Sequence, residues 1–282
     1  MIRRLVVLSA VAAGLWCAPA AFADATESAN WAGYAVHHRD VRFIKVLGSW
    51  TQPRVTCSAG TATYSAVWIG IGGYNTSSRA LEQIGTEDDC AASGRTVSSA
   101  WYELVPSASH AVALAVHPGD RMRASVSVIG HAVTLTLRDL TRHRLFTRQV
   151  RATTVDASSA EWIVEAPSAC SARFGCQTLP LADFGSTRLR SARATTSLGT
   201  TGAIENRGWT TTKIGLARGG RRFRSMGRPG AGAVMIAAPS ALTAAGTAFT
   251  VTYEGSSTGA APVTAARAVA ARRLVHPGGA RT

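Results

Sequence analysis

Met122-Arg123-Ala124-Ser125-Val126-Ser127-Val128-Ile129 alternates apolar and polar side chains, and Val133-Thr134-Leu135-Thr136-Leu137-Arg138 repeats the pattern. Gly130-His131 lies between the two runs. Successive side chains of a strand point to opposite faces, so a period of two reads as a strand with one buried face. Two such runs around a glycine-containing turn predict a hairpin. Working outward, strand-like runs occur at 41–50, 64–71, 99–105, 161–165, 188–192, 233–237 and 248–253. They are rich in Thr, Val and aromatic residues, with Gly, Pro, Ser and Asn at the joins. No helical period of useful length precedes residue 260. Many antiparallel strands with frequent turns imply an all-β sandwich or barrel forming one large domain.

Composition narrows the class. The chain has 282 residues, 46% of them hydrophobic, which excludes intrinsic disorder. Its 27 glycines follow no Gly-x-y period, which excludes collagen. Lys+Arg 30 against Asp+Glu 16 gives a net charge of +14, and that excess raises the question of a polyanionic partner. The N-terminus answers part of it. Arg3 and Arg4 precede an apolar stretch from Leu5 to Trp16 and then Ala21-Phe22-Ala23, the pattern of a cleaved export signal over 1–23. The apolar stretch is too short to span a bilayer, so a secreted protein without membrane insertion is expected. Cleavage after Ala23 removes two of the positive charges. The remaining domain is expected over 24–254, followed by an Ala/Arg-rich tail over 255–282 that contains no acid.

Export favours disulfides, and Cys57, Cys90, Cys170 and Cys176 are an even set. Four cysteines allow three pairings. Cys170 and Cys176 are close enough to clip one loop, leaving Cys57 with Cys90. Neither the cysteines nor the histidines have zinc-ligand spacing, so no metal and no cofactor are expected. Residues 207–228 carry Arg207, Lys213, Arg218, Arg221, Arg222, Arg224 and Arg228 with no acid among them, a solvated basic segment.

Familiar hydrolase signatures are absent. There is no HExxH and no Asp-Thr/Ser-Gly. Gly255 to Gly259 matches G-x-S-x-G, but no acid follows it in the chain, so the triad order of a nucleophile elbow fails. Glu161-Trp162-Ile163-Val164-Glu165 would place both glutamates on one strand face with Ile163. In Leu81-Glu82-Gln83-Ile84, a strand would turn Glu82 and Gln83 to opposite faces, one of them inward. Trp101-Tyr102-Glu103 puts an aromatic ring and an acid on one face.

Asn30-Trp31-Ala32-Gly33, Val67-Trp68-Ile69-Gly70-Ile71-Gly72, Gln83-Ile84-Gly85, Ala100-Trp101-Tyr102-Glu103, Ala160-Glu161-Trp162-Ile163-Val164-Glu165 and Ala182-Asp183-Phe184-Gly185 occur in this order. Together they resemble the eqolisins, the glutamic peptidases, which are acid-acting and insensitive to pepstatin. The resemblance implies a sandwich of two curved antiparallel sheets (a concanavalin A-like jelly roll), without cofactor, acting on polypeptides. It implies a catalytic dyad of Gln83 and Glu165, the second acid of its run and not Glu161. Trp31, Trp68, Trp101 and Glu103 would line or support the cleft. A carboxylate base still ionises near pH ~4, where a histidine would be protonated.

The chain also departs from the better-known fungal members. Gly72-Gly73 stands where they carry an acid, Glu82 stands where an apolar residue is expected, and the protein is basic where they are acidic. Only 24–29 separate the expected cleavage point from the first motif, leaving no room for a long prosegment. Two other classes fit a lectin-like sandwich. One is a glycoside hydrolase using Glu103 and Glu165, and the other is a module binding carbohydrate or an anionic polymer. The expected protein is a monomer without a specific nucleic-acid partner.

Overall fold

The computed structural model describes residues 24–171, 173, 175–218, 224–225 and 234–255. The expected export signal, the G-x-S-x-G run after Gly255, the tail and much of 219–233 lie outside the described residues. Among the described residues every regular element is a strand. In order come β1 (Asp24–Ser28), β2 (Trp31–His37), β3 (Phe43–Thr51), β4 (Ala66–Gly72), β5 (Leu81–Cys90) and β6 (Thr96–Val105). Then follow β7 (His110–Val112), β8 (Arg121–Ile129), β9 (Ala132–Asp139), β10 (Arg144–Arg151), β11 (Ser159–Glu165), β12 (Ser168–Ser171) and β13 (Gly175–Thr178). The last are β14 (Ser186–Thr196), β15 (Thr201–Gly202), β16 (Thr210–Arg218), β17 (Arg224–Ser225), β18 (Val234–Pro239) and β19 (Phe249–Tyr253).

Two sheets form the sandwich. One runs β1–β16–β2–β11–β4–β5–β6–β7, with β1 parallel to β16 and the remaining pairs antiparallel. The other runs β10–β9–β8–β3–β14–β19–β18 and is antiparallel throughout. β16 also pairs with β18, which joins the sheets along one side. The 122–138 hairpin forms as its alternation requires: Met122, Ala124, Val126 and Val128 of β8 and Val133, Leu135 and Leu137 of β9 all point into the core.

That core lies between the sheets. From the first sheet it takes Tyr34, Val67, Ile69, Ile84 and Trp162, and from the second Phe43, Val46, Trp50, Leu189 and Phe249. Two of its buried indoles are paired, as burial favours. The Trp162 indole donates across the gap to the Leu47 carbonyl at 2.8 Å, and the Trp50 indole donates to Thr86 Oγ1 at 3.0 Å. Gly48 makes room for Trp162, since a Cβ there would lie 2.9 Å from Trp162 Cδ1. Of the three possible disulfide pairings, the structure has Cys57–Cys90 and Cys170–Cys176, the latter across the β12–β13 pair.

Candidate active site

The first sheet has a second face, turned away from the core, which carries its own cluster of Trp31, Ala35, Ala66, Trp68, Leu81, Trp101, Ile163 and Ile214. Register orders this face into rows. One row holds Glu103, Gln83, Gly70, Glu161 and Ala35 on β6, β5, β4, β11 and β2. The next holds Trp101, Gly85, Trp68, Ile163 and Gly33, and the third Ser99, Glu87, Ala66, Glu165 and Trp31. Gln83 faces this cluster, and Glu82 points to the opposite side, among the core residues Ile71 and Leu104 opposite it on β4 and β6.

Two glycines let the rows close up. A Cβ at Gly85 would lie 2.4 Å from the Val67 carbonyl oxygen and 2.6 Å from Trp68 Cβ. At Gly33 (φ 152°) it would lie 2.1 Å from the Trp162 carbonyl oxygen. Strand backbones at these points tolerate hydrogen alone. With that clearance the Trp31 and Trp68 rings meet edge to face, their centroids 5.0 Å apart.

The polar groups fall into two hydrogen-bonded sets. The Gln83 amide donates from Nε2 to Glu103 Oε2 at 2.7 Å, and Gln83 Oε1 has no hydrogen-bond partner among the described residues. Glu165 accepts from the Trp68 indole at 2.7 Å on Oε2 and from Asn30 Nδ2 at 2.9 Å on Oε1. Asn30 is oriented in turn, because its Oδ1 accepts from the Ser28 hydroxyl, whose oxygen also accepts from the Trp31 backbone N–H. Asn30 opens the first quoted motif, yet its side-chain role is not legible there: the contact to Glu165 spans 135 residues. Glu87 was also missed. It is level with Ala66 and accepts from the Ser99 hydroxyl.

Glu161 and Glu165 share a strand face, and their surroundings separate them. Glu161 is fully buried, and burial pushes its carboxyl well above the ordinary 4.5. The nearby Ser159 hydroxyl opposes that shift, and the charges of Asp156 and Glu82 add to it. Its two oxygens make no hydrogen bond among the described residues. Burial therefore favours the neutral form of Glu161, whereas Glu165 is held by two neutral donors at the margin of the cluster. Tyr74 packs on the same face, its ring stacked on His37 at 4.5 Å.

At Gly72-Gly73 a carboxylate is present after all, contributed by another part of the chain. Asp156 Oδ2 accepts from the Gly73 backbone N–H at 3.2 Å, and a Cβ on Gly72 would lie 2.4 Å from the Asp156 carbonyl oxygen. Burial pushes Asp156 up, but hydrogen bonds from Ser158, Ser78 and Gly73 outweigh it and hold the carboxyl below its ordinary value. Among the described residues no group of three or more His, Cys, Asp or Glu is arranged to hold a metal ion.

The site can polarise a carbonyl with an amide and handle a proton with a carboxylate. The model of the peptidase A4 family matches residues 29–219, most of the chain and all of these rows. The chain belongs to the peptidase A4 family. As a peptidase of that family it shares its fold with solved structures. It is similar to scytalido-glutamic peptidase bound to a peptide-based transition-state analogue, with a TM-score of 0.63 at 20% identity over 80% of this chain and 98% of that one. SCP-B, a member of the eqolisin family in complex with the tripeptide Ala-Ile-His, gives a TM-score of 0.59 at 18% identity over 80% and 98%. Aspergilloglutamic peptidase from Aspergillus niger gives 0.51 at 25% identity over 68% and 99%. No curated protein matches the peptidase in sequence. The two-sheet sandwich is thus the family's fold, and the family assignment sets aside the glycoside-hydrolase reading of Glu103 and Glu165.

Proposed function

We propose that this peptidase is a secreted endopeptidase that cleaves polypeptides at acidic pH through Gln83 and Glu165. The Glu165 carboxylate takes a proton from the water that attacks the scissile carbonyl, then returns it to the departing amine. Gln83 orients that water through Oε1 and donates an N–H to the developing oxyanion. The observation that carries this reading is the state of the Gln83 amide. One N–H is committed to Glu103, which fixes the rotamer, while Oε1 is buried with no partner among the described residues, and the proposal assigns it and the other N–H to water and substrate.

Gln83 is level with Gly70 and Glu165 with Ala66, four residues along β4. Strand side chains lean along the strand direction, and the two must lean toward one another to share a water. Trp68, in the row between, already reaches Glu165. Trp31, Trp68 and Trp101 would bound the substrate cleft. Neither catalytic group is a histidine, which supports acidic operation. The even cysteine set, joined in two disulfides, supports export.

The test is digestion of casein or haemoglobin across pH, with and without pepstatin, by wild type, Glu165→Gln and Gln83→Ala. The proposal expects pepstatin-resistant activity below neutral pH that both substitutions abolish while the fold persists. Full activity in either variant would overturn the dyad. A Glu161→Gln variant that alone lost activity would move the base to the other glutamate.

A further inference from the structure

The second sheet also has an outer face, and its charge is one-sided. Register sets Arg190, Ser49, Arg123 and Arg138 in one line across β14, β3, β8 and β9. Arg188 and Arg121 extend the face two residues further along their strands, on the same side. In the opposite direction the lines continue through Lys45 with Ser127 and Thr134, so hydroxyls fill the spaces between cations. These basic side chains are exposed, and none has an ion-pair partner among the described residues. The five strands β3, β8, β9, β10 and β14 contain a single acid, Asp139, which is buried on the core side. Beside Arg188 and Arg190, a groove of about 450 Å³ is completed by Arg54, Thr51 and Ser186.

We propose that this face binds a linear phosphate-bearing polymer and so tethers the protein while the tryptophan-lined face of the other sheet stays open. An acid-free array of cations repels itself, and a polyanion relieves that repulsion. Arginine dominates it, and the guanidinium fork matches phosphate oxygens in pairs where lysine offers a point charge. The array is spread over a sheet and not gathered in a pocket, which suits a chain of repeating charges. The rings of these strands are turned away from it, since Phe43 and Trp50 are buried and Phe146 packs against the core. A platform for stacking nucleic-acid bases is therefore missing from the face. The large exposed apolar side chains nearby, Ile129 and Leu145, sit at a hairpin end and on the edge strand, outside the cationic lines a membrane would have to meet.

The probe is inorganic polyphosphate, titrated into the full chain at a series of salt concentrations. Two triple variants lose the same charge: Arg123→Ser/Arg138→Ser/Arg190→Ser on the face, and Arg39→Ser/Arg95→Ser/Arg207→Ser elsewhere. Wild type should bind with a steep inverse salt dependence. The face variant should lose at least tenfold in affinity, with the log–log salt slope reduced by roughly two, while the control variant stays within threefold. Cleavage of an uncharged peptide should be equal in all three proteins and unaffected by saturating polyphosphate. Equal losses in both variants would reduce the effect to net charge and overturn the proposal. It would also fall if wild type failed to bind, or if it bound single-stranded DNA or anionic phospholipid vesicles much more tightly than polyphosphate.

Discussion

The Trp68 indole N–H donates to Glu165 Oε2 at 2.7 Å, so a residue from the middle row of the site holds the carboxylate of the outer row. A hydrogen bond to a charged group contributes about 1.5–3 kcal/mol. Trp68→Phe keeps an aromatic ring and removes the donor. It should lower kcat roughly ten- to hundredfold with a smaller change in KM. Steady-state kinetics with a melting curve alongside separates this from unfolding. Activity within twofold of wild type would mean that the indole does not position the reacting group.

Burial, followed by the charge of Asp156, raises the Glu82 carboxyl to about 8. The folded state thus holds a proton that the unfolded chain releases near 4.5. The resulting stability is complete below that pH and is lost as pH rises toward 8. Melting temperature should fall steadily between pH 4.5 and 8, by an amount worth on the order of a few kcal/mol. In Glu82→Gln the fall should be clearly shallower. Parallel curves for the two proteins would assign the pH dependence elsewhere, Glu161 being the next group to replace.

Gly33→Ala should be among the most damaging single-methyl additions in this protein. Its Cβ would land on the Trp162 carbonyl oxygen, an atom of β11 that cannot turn aside. A loss of about 3 kcal/mol or more is expected, read from the denaturant midpoint. Gly60, with nothing within 4 Å of an added Cβ, is the control for glycine removal, although its φ of 93° carries a strain of its own.

The two disulfides should contribute unequally. Cys57–Cys90 closes a separation of 33 residues and Cys170–Cys176 one of 6. Loop-closure entropy grows with length, so the Cys57→Ser/Cys90→Ser protein should lose about 3 kcal/mol and the Cys170→Ser/Cys176→Ser protein less. Paired denaturation curves check the order.

How far the sequence discloses this molecule depends on where a strand sits. β8 and β9 have one wet face and one dry face, and their alternation is plain. β2 and β4 are buried on both faces, so Trp31-Ala32-Gly33-Tyr34-Ala35-Val36 has no polar beat to read. β5 hides for the opposite reason. Glu87, Asp88 and Asp89 break its apolar pattern, yet Ser99 and Ser98 donate to Glu87 and Asp88, and the Ser65 backbone N–H donates to Asp89. β10 is an edge strand with little burial, and its pattern carries almost no signal. At the site, the motif order pointed to Gln83, Glu165 and the tryptophans. The pairing of Gln83 with Glu103, the grip of Asn30 on Glu165 and the arrival of Asp156 beside Gly73 join distant segments, and spacing along the chain does not encode them. The cationic face is not legible in the sequence because its arginines are spread over three strands, β8, β9 and β14, that are distant along the chain, whereas 207–228 is one contiguous run.

Asn30 lies two residues beyond the end of β1, a strand laid parallel to β16 along the side of the sandwich opposite β7. The hydrophobic interior owes little to that strand, but the carboxylate owes it one of its two donors. Trimming of the chain through Asn30 would therefore spare the core and strip Glu165 of one donor, leaving it the Trp68 indole. The catalytic face is thus tied to the seating of β1 more closely than the hydrophobic core is.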